Sequence, residues 1–180
     1  MIKSSNNVAY IDGANLHKGI EQLGWSLDYG KFRVWLSEKH GVKKAYIFIG
    51  LLAKNSSLYT YLQECGFVLI FKETIYDGDG KPKGNCDADL VLSATIDVFE
   101  SNYDTVILVS SDGDYAPLVR FLQKKGKMGI ILSPSNAKKC SILLKRTNAK
   151  ITFLDQMKLV LSQYNEKAPG KDGTLEGSFS

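Results

Sequence analysis

Between Thr105 and Leu118 the chain reads TVILVSSDGDYAPL, and this stretch limits what the rest can become. Val106-Ile107-Leu108-Val109 is an unbroken apolar run, the composition of a strand covered on both faces in a parallel sheet. It stops at Ser110-Ser111-Asp112-Gly113-Asp114, five small or acidic residues in succession. Two carboxylates that close together at a strand's carboxyl end repel each other. One of them must bind a proton, or a positive charge must sit between them. A divalent metal ion is the simplest neutraliser. The plainer reading is a solvated turn in which an aspartate caps a helix that Pro117 helps to start. Taken alone, an Asp-Gly-Asp turn favours the plainer reading, because short acidic turns are common.

A second acidic strand end lies earlier in the chain, although there is no internal repeat. Val8-Ala9-Tyr10-Ile11 is a short apolar strand that ends in Asp12-Gly13-Ala14-Asn15-Leu16, where Asn15 is placed to cap a helix. A helix is predicted over Tyr29–Lys39, with Phe32, Trp35 and Leu36 on one face and Gly41 ending it. Lys44–Ile49 is a second strand, Ser57–Cys65 a second crossover helix and Phe67–Phe71 a third strand. Tyr76–Asn85 is a loop rich in Gly, Asp and Lys. Counted from Asp77, its twelfth place is Ala88 rather than Glu, so it is not a calcium loop of the EF-hand kind. After Val106–Val109 come a helix over Pro117–Lys125, a strand over Met128–Leu132, a helix over Ala137–Thr147, a short strand at Ile151–Leu154 and a helix over Gln156–Tyr164. The expected domain spans 1–164, and 165–180, poor in apolar residues, is expected to be a disordered tail.

Asp87–Glu100 is the most informative helix. Val91, Ala94 and Val98 form one stripe with Asp87 at its N-terminal end, while Asp89, Asp97 and Glu100 fall on the polar side. An inward carboxylate is costly unless it is paired, hydrogen-bonded or metal-bound. Capping of its own helix is an equally good local account of Asp87.

Alternating strands and helices define an α/β class with a mostly parallel sheet of five or six strands in a three-layer α/β/α arrangement. Right-handed crossovers give the strand order 3-2-1 one way and 4-5 the other, that is, about 3-2-1-4-5. The order reverses between the first and fourth strands, and ligands bind beyond the carboxyl ends of strands at such a reversal. Asp12 and Asp112 would become neighbours there, with Asp114 just beyond and Asp87 arriving from the helix that leads into the fourth strand. Four carboxylates from three segments are hard to explain as turn chemistry. Without a His or Cys ligand set they favour a hard, oxygen-binding cation, Mg²⁺ or Mn²⁺. Such ions work with phosphate oxygens.

The other chemistry-bearing features are few. A formal net charge of +4 permits a polyanionic partner without requiring one. Lys72, Lys81, Lys83, Lys124, Lys125, Lys127, Lys138, Lys139 and Arg146 are the cations that could attract a nucleic-acid backbone; each alone is an ordinary surface charge, and only their expected density around the crevice counts. Cys65, Cys86 and Cys140 form no CxxC pair, which fits a reducing cytoplasm and argues against disulfides or a zinc knuckle. No apolar segment approaches the ~20 residues that cross a bilayer, and the opening MIKSSNN lacks a signal-peptide core. No GxGxxG follows the first strand and no P-loop occurs. Two places after Asp12 stands Ala14, not the second Asp of an aspartyl phosphatase. His17 and His40 are the only histidines, a poor basis for a Ser-His-Asp hydrolase.

Three motifs, Asp12-Gly13-Ala14-Asn15-Leu16, Lys83-Gly84-Asn85-Cys86-Asp87-Ala88-Asp89-Leu90 and Ser110-Ser111-Asp112-Gly113-Asp114-Tyr115, resemble those of the NYN domain, in the LabA-like branch of the PIN-like ribonucleases. The resemblance covers about residues 7–155. It implies a PIN-like Rossmannoid fold and a metal-dependent endoribonuclease in the cytoplasm, acting on single-stranded RNA with Mg²⁺ or Mn²⁺. A homo-oligomer is left open. Carried over, Asp12, Asp87, Asp112 and Asp114 are the catalytic, metal-binding acids. Asn15, Ser110, Ser111 and Lys83 are the substrate-side residues, Asn15 and Ser110 either supporting the acids or contacting phosphate. Ser111 stands where the family commonly has Gly. Tyr115 stands where Phe is frequent, a difference expected to matter little. The rival reading is a binding module of the same fold that holds RNA or a nucleotide with negligible turnover.

Overall fold

In the computed structural model of the chain, residues 5–73, 75–76, 82–83, 86–100 and 103–163 are described, except for the side chains of residues 73, 75, 76, 82 and 83. The expected tail, 165–180, lies outside them. The elements in order are strand β1 (Asn7–Asp12), helices α1 (Gly13–Gln22) and α2 (Tyr29–His40), β2 (Val42–Leu51), α3 (Ser56–Glu64), β3 (Val68–Glu73), the two-residue strands β4 (Ile75–Tyr76) and β5 (Pro82–Lys83), and α4 (Asp87–Glu100). Then follow β6 (Val106–Val109), α5 (Ala116–Lys124), β7 (Met128–Ser133), α6 (Ile142–Lys145), β8 (Ile151–Phe153) and α7 (Lys158–Leu161).

Six strands form one all-parallel sheet in the order β3-β2-β1-β6-β7-β8. This is the expected order, completed by the sixth strand. The apolar character of the central strands follows from burial on both faces. Side chains alternate along a strand. Ala9, Ile11, Ile107, Val109, Ile130 and Leu132 therefore face one core, packed with Leu16 and Ile20 of α1, Phe32 and Leu36 of α2, and Leu58 and Leu62 of α3. Val8, Tyr10, Val106, Leu108 and Ile131 face the other, against Leu90 and Ala94 of α4 and Val119 and Leu122 of α5. The three layers are the sheet and these two helical covers.

Several local expectations give way. β4 and β5 pair antiparallel as a small hairpin inside the predicted 76–85 loop, whose residues 77–81 and 84–85 lie outside the described ones. The helix expected over 137–147 shrinks to α6. Asn136 accepts from the amides of Lys138 and Lys139 through its side chain, and Ser141 caps a new start at Ile142 by accepting from the Leu143 amide. The last helix is broken too: a 3₁₀ turn over Leu154–Met157 leads into α7, and Ser162 bridges back to Leu27. Asp97 is not on a purely polar side. Its carboxylate accepts a short hydrogen bond from the hydroxyl of Tyr10, a fully buried residue of β1. Burial first, then that bond, raises the Tyr10 pKa, so the hydroxyl stays protonated and ties α4 to the sheet.

One contact sets α1 against the segment that follows β7. A Cβ added at Gly19 would lie 2.3 Å from the backbone oxygen of Pro134. Alanine normally strengthens a helix relative to glycine by roughly 0.5–1 kcal/mol. Here the steric cost, about 1–3 kcal/mol, wins. Gly19→Ala should lower the urea midpoint without changing the slope of the transition. An unchanged or raised midpoint would show that this packing is not tight.

Candidate functional site

β1 and β6 lie side by side, their last registered pair being Ile11 with Val109. One residue further on, the chain leaves each strand, at Asp12 and Ser110. This is the reversal point of the sheet, because β1 leads through α1 and α2 to β2 on one side while β6 leads through α5 to β7 on the other. Asp12 shares the face of Tyr10 by the two-residue alternation, the face covered by α4 and α5.

Asp12 is nearly buried, at 8% exposure. One of its oxygens accepts from the Asn15 amide at 2.9 Å, so Asp12, and not Asn15 as expected, is the N-cap of α1. The Asn15 side chain reaches across the reversal point instead. Its Oδ1 accepts from the Ser111 amide at 2.9 Å and from the Ser111 hydroxyl at 3.0 Å. Ser110 is fully buried, and its hydroxyl accepts from the Asp112 amide. Asp112 in turn caps the single 3₁₀ turn Gly113–Tyr115 by accepting from the Asp114 amide at 3.0 Å. Gly113 is required by close approach: a Cβ there would lie 2.3 Å from the Ser141 hydroxyl. The Ser141 amide also donates to the Ser111 backbone carbonyl. Asp112 therefore does cap, but it caps the 3₁₀ turn and not the helix that Pro117 helps to start, whose N-cap is Tyr115 without a side-chain bond.

Asp87, the first residue of α4, comes to this turn from the same cover as α5. One carboxylate oxygen from each of Asp87, Asp112 and Asp114 lies within 4.8 Å of the other two. Asp12 stands outside that trio but is joined to it. The Tyr115 hydroxyl lies 2.5 Å from an Asp87 oxygen and 3.2 Å from an Asp12 oxygen, and the Tyr115 ring is wholly buried. Tyr115 is the residue that sequence reasoning missed. Its only signal was a departure from Phe after the acidic pair, and it was expected to matter little. The side chain of Lys83 lies outside the described residues, as do Lys81 and Asn85.

Electrostatics follow the geometry. Burial is the main cause that pushes the Asp12 carboxyl up to about 6; Asp87 and Asp112 add to it, while the Asn15 amide and Tyr115 oppose it. Tyr115 is held protonated by burial and by Asp12 and Asp87. Burial and nearby carboxylates push the Cys86 thiol up to about 11, so it offers no thiolate. The donor set is thus oxygen only and acidic, which fits a hard divalent cation. The basic residues divide. Lys72 at the end of β3, ion-paired with Asp89 at 3.3 Å, and Lys138 and Lys139 after β7 belong to the carboxyl edge of the sheet, with the acids. Lys124, Lys125 and Lys127 come where the chain re-enters the sheet at the opposite edge; there the Lys127 carbonyl accepts from the first amide of β6. They do not surround the acids. Among the described residues, no helix is long and apolar enough to cross a membrane.

Comparison with known proteins bears on the family and the fold. Residues 7–155 match the model of the NYN domain. An uncharacterized protein of Methanocaldococcus jannaschii is 26% identical over 125 residues, 68% of this chain and 45% of that protein. The chain thus spans less than half the length of that relative. A crystal structure of a protein of unknown function from Vibrio parahaemolyticus superposes with a TM-score of 0.71 at 23% identity, covering 89% of this chain and 99% of that one, which shows a shared fold.

Asp12 makes stability depend on pH in a stated direction. Its pKa in the fold, about 6, lies above the ordinary 3.8, so the folded state holds the proton more tightly. The stability this supplies is complete below pH 3.8 and is lost as pH rises through about 6. In EDTA, urea denaturation should show the wild type losing on the order of 2 kcal/mol relative to Asp12→Asn across that range. A difference between the two that does not vary with pH would contradict the assignment.

Proposed function

Because this chain belongs to the NYN domain family, within the PIN-like nuclease superfamily, we propose that it is a metal-dependent endoribonuclease. The observation that carries the reading is the convergence of Asp87, Asp112 and Asp114 within 4.8 Å, with Asp12 joined to them through one tyrosine. Asp87, Asp112 and Asp114 are the residues that would hold Mg²⁺ or Mn²⁺, with Asp12 behind them. When bound, such an ion polarises a phosphodiester and makes a water a stronger nucleophile at neutral pH. The chain's own residues do the rest. Asn15, Ser110 and Ser111 hold the two strand ends together and fix the turn that carries Asp112 and Asp114. Lys72, Lys138 and Lys139 supply positive charge on the same edge for the phosphate backbone. The acids are metal ligands in this reading and not nucleophiles. Single-stranded RNA, whose backbone can bend into an open crevice, is the proposed substrate.

The test is incubation of purified protein with single-stranded RNA and Mn²⁺. The reading expects cleavage that EDTA stops and that Asp112→Asn reduces by at least about 10²-fold while leaving the thermal midpoint unchanged or higher, since one like charge is removed. Intact RNA in every arm, with RNA retained on the protein, would replace the nuclease by a binding module. An Asp112→Asn chain that unfolds would give that aspartate a structural role.

A further inference from the structure

The turn, β1 and α4 are separate segments, and one side chain, carried by the turn, touches the acids of the other two. We infer that the Tyr115 hydroxyl is a positioning group for the acidic site, clamping Asp12 and Asp87 relative to the turn that carries Asp112 and Asp114. The inference rests on the metal-site reading above and adds a residue to it. Tyr115 follows Asp114 directly and closes the 3₁₀ turn capped by Asp112, so its backbone belongs to the element that bears two of the acids. Its hydroxyl reaches the other two, at 2.5 Å from Asp87 and 3.2 Å from Asp12.

A phenol carries one proton. It cannot donate fully to two carboxylates, so the shorter contact, to Asp87, takes it and Asp12 is held at the longer one. The ring packs among Tyr10, Leu90, Ala94 and Leu108 in the core beneath α4 and α5, a place that a phenyl ring would fill equally well. The hydroxyl is thus dispensable for packing. Burying it is costly unless it is hydrogen-bonded, and its bonding partners are two of the four acids. Asp12 already spends one oxygen on the Asn15 amide and the other on Tyr115. It therefore bears on the trio through this hydroxyl, in the manner of outer residues that orient metal-ligating carboxylates.

The experiment is a calorimetric titration of the full chain with Mn²⁺ alone, well below the thermal midpoint, for the wild type, Tyr115→Phe, Asp12→Asn and the double variant. Far-UV circular dichroism and melts in EDTA run alongside. Removing only the hydroxyl should weaken Mn²⁺ binding about tenfold with the fold intact. Asp12→Asn should cost clearly less in the Tyr115→Phe background than in the wild type, because both substitutions break the same link. Loss of stability alone would not produce either result in a folded sample. Unchanged affinity in Tyr115→Phe, fully additive costs, or a Tyr115→Phe chain that does not fold would each overturn the inference while leaving the metal reading standing on wild-type binding. A wild type that binds no Mn²⁺, with Asp112→Asn indistinguishable from it, would overturn the metal reading and this inference together.

Discussion

Like charge at short range is the constraint on which the carboxyl edge of this sheet depends. Oxygens of Asp87, Asp112 and Asp114 sit within 4.8 Å of one another, and Asp12 is buried just behind them. At an effective dielectric near 20, two unit charges about 5 Å apart repel by roughly 3 kcal/mol. A net hydrogen bond to a charged group returns about 1.5–3 kcal/mol. Donors such as the Asp114 amide on Asp112 and the Tyr115 hydroxyl on Asp87 offset part of that repulsion, and the exposure of Asp114 to solvent screens more of it. Two remedies are open to the protein. Asp12 is driven toward its neutral form, and the remaining three could hold a cation.

The fold makes that arrangement rigid. Six parallel strands with both faces covered leave little freedom at β1 and β6, and the strand order reverses between them, just past Ile11 and Val109. Asn15 and Ser111 close the gap between the two strand ends, and Gly113 lets the segment at Ser141 press on the turn. Tyr10 fixes α4 by way of Asp97, near the opposite end of the helix from Asp87. Asp87 is thus held by a helix that is anchored twice.

Most of the architecture was legible because it rests on period. The unbroken apolar run at Val106–Val109 marked a strand covered on both sides, Val8–Ile11 read as a second apolar strand, and the Asp at each strand end pointed to the reversal. What was not legible depends on partners far away in the chain. Asp97 read as solvated because nothing in the period of α4 signals a tyrosine 87 positions earlier. Tyr115 read as a minor variation because its importance lies in a hydroxyl placed between Asp12 and Asp87. The shortening of α6 turned on the competing side-chain caps of Asn136 and Ser141, which favour local turns over a longer helix. Clustering of lysines was overestimated for a topological reason: α5 runs antiparallel to the strands and carries Lys124 and Lys125 to the opposite edge.

The central claim is that α4 and the turn after β6 share one cation at this edge, with Asp12 of β1 behind it. Anomalous diffraction from crystals soaked in Mn²⁺ tests it most directly. The account predicts a Mn²⁺ peak in contact with carboxylate oxygens of Asp87, Asp112 and Asp114. Crystals that diffract well and bind Mn²⁺ only elsewhere, or an acidic cluster whose carboxylates swing apart without a peak between them, would contradict it.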